Sequence, residues 1–323
     1  MAFFNRDKPI QDNQQWERSV LEKVALASVV EQRRARRWSI FFKLLFLTYI
    51  IIISSFAMSP MSDVGALSKG PHTAVVDVKG VIVSGGEADA DSIIKSLKNA
   101  IKDPNTKGVI LRVNSPGGSP VQSSYVYEAI RKIKSDRPEL PIHAVVEDLC
   151  ASGCYFIASA ADKIFVNQSS IVGSIGVVMN GFGFTDTMKK LGVERRLYTA
   201  GEHKGFLDPF SDVNSDEETH VKGMLNDIHD EFIQAVKSGR GERLQENPDL
   251  FSGLVWAGSN SIQLGLADEV GDVRSVAKNE IGEDKIVDFT AQQPFIEKLA
   301  KSMGAATAEF AAHFSTLNNA SLF

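Results

Sequence analysis

Ser152 stands between Ala151 and Gly153 directly after an apolar run, and a serine so placed can serve as a nucleophile. Residues 141–146 (PIHAVV) have the composition of a short buried strand, Asp148 and Leu149 that of a turn, and residues 151–161 that of a helix of small and aromatic residues. Ser152 therefore falls at a strand-to-helix junction, where the first helical N–H groups lack internal partners and the helix dipole favours negative charge. An oxyanion formed there would be stabilised. An ordinary N-cap serine occupies the same kind of position, so neighbouring motifs must decide between the two. Upstream, the apolar run 109–113 (VILRV) ends in Asn114-Ser115-Pro116-Gly117-Gly118, where Pro then Gly suits the central positions of a type II turn. The N–H groups of Gly118 and Gly153 can together form an oxyanion hole, because glycine lets a carbonyl approach the backbone unobstructed.

Downstream, Gly173-Ser174-Ile175-Gly176 opens another apolar run, and Gly201-Glu202-His203-Lys204-Gly205 leads to Asp208-Pro209-Phe210. Taken in order, SPGG (115–118), ASG with a following Tyr155 (151–155), GSIGV (173–177) and GEHKGFLDPF (201–210) resemble the signal peptide peptidase A family of serine proteases. The resemblance runs from about Thr73 to Val276. It implies a ClpP/crotonase-like fold and a Ser-Lys dyad, with Ser152 as nucleophile, Lys204 as general base, Gly118 and Gly153 as oxyanion donors, and Ser174 as the hydroxyl that orients the lysine. It also implies remnant signal peptides and other short, extended apolar peptides as substrates. Longer members carry two tandem copies of the domain and draw serine and lysine from different copies. This chain has one copy, so the resemblance implies a homo-oligomer in which Ser152 faces Lys204 of a neighbour. One position departs from the family: Cys154 stands where a second glycine is usual, which puts pocket width in question.

A Ser-Lys mechanism needs a neutral lysine, although the reference pKa is about 10.4; burial among apolar groups lowers it. Phe206, Leu207 and Phe210 could supply such surroundings, provided Glu202 and Asp208 point away. His203 permits a Ser-His alternative, ranked second. No metal site is expected, since His220 and His229 are nine apart and no cysteine–histidine cluster has zinc spacing. No cofactor is expected either. Cys150 and Cys154, the only cysteines, are expected as two small buried thiols, because residues four apart in one helical turn rarely present disulfide geometry. Two rival functions share the fold: a membrane-anchored oligomeric peptide-binding scaffold without proteolysis, and an acyl-CoA enzyme of the crotonase type. The complete set of Ser152, Lys204, Ser174 and Gly118 disfavours the first, and an amino-terminal anchor disfavours the second.

The elements that must position these residues follow from the rest of the 323-residue chain. A net charge of −5 gives no reason to expect nucleic acid as a partner. Residues 38–57 (WSIFFKLLFLTYIIIISSFA) carry one charge, Lys43, and at about 1.5 Å per residue can span a hydrocarbon core roughly 30 Å thick. The arginines at 33, 34, 36 and 37 precede it, so the positive-inside rule predicts a single-pass bacterial inner-membrane anchor with the amino terminus cytoplasmic. Ser55-Phe56-Ala57 could pass for a signal-peptide cleavage site, but the long preceding region and the long apolar stretch favour an uncleaved anchor. The catalytic domain is then periplasmic or otherwise extracytoplasmic. The expected organisation is a cytoplasmic segment with a loose amphipathic pattern (1–37), the anchor (38–57), a polar linker (58–72), the peptidase domain (73–289) and an Ala-rich tail (290–323). Strand-like runs at 73–83, 109–113, 142–146, 163–166 and 175–179 alternate with helical runs at 90–101, 121–134 and 151–161. That alternation predicts an α/β domain with a largely parallel sheet and flanking helices. A long amphipathic helix from Ser215 to about Lys237 follows.

Overall fold

The computed structural model describes residues 10–58 and 70–291. Two compact units result. The first contains helix α1 (Ile10–Met58), one continuous helix that takes in most of the expected amino-terminal segment together with the expected anchor. From Trp38 to Ile52 its large apolar side chains are exposed on every face. Among the described residues no helix is long and apolar enough to cross a membrane; the side chains of α1 are described only as far as Ile52. Most of the expected linker and of the expected tail lies outside the described residues.

The second unit is the α/β domain. Its strands are β1 (His72–Lys79), β2 (Thr106–Ser115), β3 (Ile142–Ala151), β4 (Lys163–Val166), β5 (Ile171–Gly173), β6 (Val255–Ala257), β7 (Glu269–Val270) and β8 (Ile286–Asp288). The principal path is β6-β5-β3-β2-β1-β8; β4 joins β3 and β7 beside it, and only the β5–β6 pair is antiparallel. Helices α2 (Ala90–Lys102) and α3 (Pro120–Asp136) make the crossovers between the central strands. Each starts on a side-chain cap: Asp89 accepts the N–H of Ser92, and Ser119 accepts that of Gln122 ahead of Pro120.

Successive strand residues face opposite sides, and both sides are covered, which is why the central strands are nearly continuous runs of Val, Ile, Leu and Ala. Val76, Val78, Leu111, Val113, Ala144 and Val146 face the larger core under the crossover helices and α6 (Ser215–Arg240). Val75, Ile110, Val145 and Phe165 face a smaller one closed by Val276 and Ala277.

Three sequence expectations change here. Asp148 and Leu149 do not form a turn, because β3 runs on to Ala151. No strand forms over 175–179; the short strand lies earlier, at β5, because the backbone of Ile171 to Gly173 pairs with both β3 and β6. The helix after Ser152 is α4 (Gly153–Ala158), shorter than the predicted 151–161. After the short helix α5 (Thr185–Leu191), helix α6 begins where expected, with Asn214 accepting the N–H of Asp216, and continues to Arg240.

Candidate active site

The site begins with an irregularity in β3. Val113 of β2 pairs with Val146, but Ser115, two residues on, pairs with Cys150, four residues on, so β3 carries extra residues around Glu147 to Leu149. The bulge re-aims the strand. Before it β3 pairs with β4; after it Leu149, Cys150 and Ala151 pair with Ile171, Val172 and Gly173 of β5. The end of β3 is thereby wedged between β2 and β5, and Ser152 emerges there with φ 55° and ψ −125°.

A positive φ at a residue with a side chain is uncommon and is held here by its surroundings. The Ser152 N–H donates to the Gly173 carbonyl at 2.8 Å, and its own carbonyl accepts from Phe156 N–H at 3.0 Å. Although Ser152 occupies the N-cap position of α4, its side chain makes no cap hydrogen bond. The ordinary capping role is thus absent, and the half-buried hydroxyl faces a cleft of about 760 Å³.

Gly118 and Gly153 line the same cleft. Gly118 forms an isolated parallel bridge with Ile82, but the hydrogen bonds of that bridge are made by its neighbours: Ile82 N–H donates to the Gly117 carbonyl and Ser119 N–H to the Ile82 carbonyl. The Gly118 N–H therefore points away from Ile82. Gly153 is the first residue of α4, where an N–H has no intrahelical acceptor. The two groups are close, since a Cβ on Gly153 would sit 3.3 Å from the Gly118 nitrogen. Gly117 holds them together: with φ +94°, it packs so tightly that a Cβ there would lie 2.7 Å from the Gly153 nitrogen and 2.8 Å from Ser152 Cβ. Sequence reasoning singled out Gly118 and missed this buttress, although the adjacent glycine was its signal.

Ser174 also lines the cleft, again with φ 55°, and its N–H is tied to the Leu254 carbonyl at 2.7 Å. The two candidate bases are not in the cleft. Lys204 is exposed, and no ion pair or side-chain hydrogen bond reaches it among the described residues. His203 is exposed as well, with Nδ1 3.2 Å from Glu217 Oε1. Asp208 is engaged elsewhere: hydrogen bonds from the Ser211 hydroxyl and the Arg195 guanidinium hold its carboxyl below the usual range. From Gly176 to Asn214 no residue is buried, and Phe182, Leu191, Tyr198 and Val213 are all well exposed.

The expected free thiols are corrected: Cys150 and Cys154 are joined in a disulfide with Cα atoms 5.1 Å apart. The expectation took both residues to lie in one helical turn. Instead Cys150 lies near the end of a strand and Cys154 in the first turn of a helix, with the positive-φ junction at Ser152 between them. The bond closes a loop around Ser152. Both sulfurs belong to fully buried residues, so Cys154 does not line the cleft.

Behind the site, Tyr155 is buried, and its hydroxyl donates to the Leu266 carbonyl at 2.7 Å; burial raises its pKa. Phe156 packs on Phe232 of α6 with the rings tilted and their centroids 5.0 Å apart, fixing α6 along the cleft. No group of three or more His, Cys, Asp or Glu residues suited to a metal occurs among the described residues.

Comparison with known proteins places this geometry in context. The family model for peptidase family S49 matches residues 134–288, a span that includes Ser152, Gly153, Ser174 and Lys204. The chain is 43% identical over 217 residues to a Brucella abortus protein named Na(+)/H(+) antiporter NhaA, covering 66% of this chain and 29% of that one. It is 30% identical to an Enterococcus faecium protein assigned as signal peptide peptidase SppA, covering 67% of this chain and 64% of that one. It is 33% identical to Protease 4 of Haemophilus influenzae, covering 61% and 32%. The chain thus spans less than two thirds of the length of each of these relatives.

Proposed function

The chain belongs to the signal peptide peptidase A group of peptidase family S49, and from that premise we propose that it is a membrane-anchored serine endopeptidase acting on remnant signal peptides and other short, extended apolar peptides. The observation that carries the reading is Ser152 itself. Its hydroxyl is uncapped, faces a cleft, and stands at a positive-φ turn beside the paired N–H groups of Gly118 and Gly153.

In the proposed reaction Ser152 Oγ attacks the substrate carbonyl carbon while a base removes its proton, and the resulting oxyanion accepts hydrogen bonds from Gly118 and Gly153. Collapse of the tetrahedral intermediate passes the proton to the leaving amine, and water repeats the sequence on the acyl-enzyme. Lys204 is the proposed base, and Ser174 its orienting partner. Because Lys204 lies on an exposed, apolar-rich segment outside its own chain's cleft, we place it in the cleft of a neighbouring subunit of a closed homo-oligomer. Burial at that contact would remove water from the ammonium group and favour the neutral amine.

The apolar faces of α1 beyond Trp38, preceded by four exposed arginines, support anchoring through residues 38–57 in an inner membrane, with the peptidase domain on the extracytoplasmic side. Labelling with a fluorophosphonate tests the central reading. The wild-type protein is expected to be labelled and to hydrolyse peptides, and Ser152→Ala to do neither while remaining folded. Among the described residues neither Lys204 nor His203 lines the single-chain cleft, which favours one second reading, a peptide-binding scaffold; peptide binding without labelling or turnover would select it.

A further inference from the structure

We infer that Glu231 makes the cleft selective for peptides that carry a cationic side chain close to a large apolar one. This deepens the peptidase reading above and rests on it. The cleft wall is mainly apolar, with exposed Val121 and Tyr125 backed by the buried rings of Phe156 and Phe232, and Glu231 is the only charged side chain on it among the described residues.

The position of that carboxylate is set by the fold. Glu231 precedes Phe232, which is 4% exposed and packed against Phe156, the residue four places after Ser152. The α6 backbone at this point is therefore fixed against the helix that the nucleophile opens. Glu231 itself is exposed, and no ion pair to it occurs among the described residues. One turn away on α6 stand Asp227, Ile228, Gln234 and Ala235, so its own helix offers no cation on that face. An unpaired carboxylate beside an apolar wall, in a cleft where a substrate displaces water, attracts an ammonium or guanidinium group and disfavours a carboxylate. The apolar wall takes the hydrophobic part of the same peptide.

The test compares peptide pairs that differ only by lysine or norleucine, scanned along positions on both sides of the scissile bond, as a ratio of kcat/KM. At one position the wild-type protein is expected to prefer lysine by about two- to fivefold, as an exposed ion pair allows, with the preference fading at high salt. In Glu231→Gln that ratio should fall to near unity, and in Glu231→Lys it should invert. An unchanged lysine preference in Glu231→Gln overturns the inference. So does an equal loss on both peptides, which would mean that Glu231 serves assembly or chemistry rather than selection. Absence of turnover on either peptide by wild-type protein would instead overturn the peptidase reading itself.

Discussion

Gly118→Ala probes the oxyanion arrangement most directly, because the structure shows what the added methyl group meets. At φ +156° a Cβ on this residue would overlap the Ile82 carbonyl oxygen and lie 2.8 Å from the Ile82 nitrogen. Ordinary contact needs roughly 3.5 Å or more between such atoms, so the loop must retreat from Ile82. Two bonds resist the retreat: Ile82 N–H to Gly117 carbonyl at 2.9 Å and Ser119 N–H to Ile82 carbonyl at 2.8 Å. Losing them costs about 1 kcal/mol each. The shift also carries the Gly118 N–H away from the oxyanion position, and loss of one such donor typically costs about 2.7–4 kcal/mol, or about 10²–10³ in kcat. The assay is kcat on a peptide substrate, with far-UV circular dichroism and a urea midpoint to confirm folding. Gly181→Ala is the control, since a Cβ there meets nothing within 4 Å. A folded Gly118→Ala protein that keeps kcat within roughly threefold of wild type would refute the donor role.

Lys204→Ala and Lys204→Arg should both be inactive, since a guanidinium with a pKa above about 12 cannot act as base; mixing Ser152→Ala with Lys204→Ala chains should restore part of the activity. Mixed oligomers that form and stay dead would place the dyad within one chain. Asp268→Asn should destabilise the domain by about 3–5 kcal/mol in urea unfolding, because Asp268 holds the fully buried Arg240 through contacts of 2.8 and 3.0 Å; a loss below about 1 kcal/mol would show that the guanidinium finds another partner. Burial lowers the pKa of His143, so the unfolded chain takes up a proton at higher pH than the folded one. Its contribution to stability should be complete above the ordinary value of about 6.5 and decline as pH falls below it. His143→Leu should flatten urea midpoints measured from pH 8 to pH 5, and an unaltered slope would assign the acid sensitivity to other groups.

Much of the site was legible in the residue order. The repeated alternation of apolar runs and helical periods dictated a largely parallel α/β sheet, because strands buried on both faces must be continuous in Val, Ile, Leu and Ala and their crossovers must be helices. Ser152 at a strand-to-helix junction and glycines at 118 and 153 were readable for a related reason: a tight backbone approach admits no side chain, and glycine marks it locally.

Tertiary structure decided what depends on partners distant in sequence. The bulge at Glu147 to Leu149 exists because β3 must leave β4 and join β5, a change of neighbour that no local window records. The Cys150–Cys154 disulfide follows from the strand-to-helix junction at Ser152 rather than from a spacing of four. Glu231 enters the cleft only because α6 packs Phe232 on Phe156, across 76 residues of chain. Lys204 shows the converse: its motif was clear in the sequence, but an exposed segment with no buried residue from Gly176 to Asn214 leaves it outside its own chain's cleft. Sequence identifies a side chain's chemistry, whereas its proximity to another depends on burial and pairing summed over the whole fold.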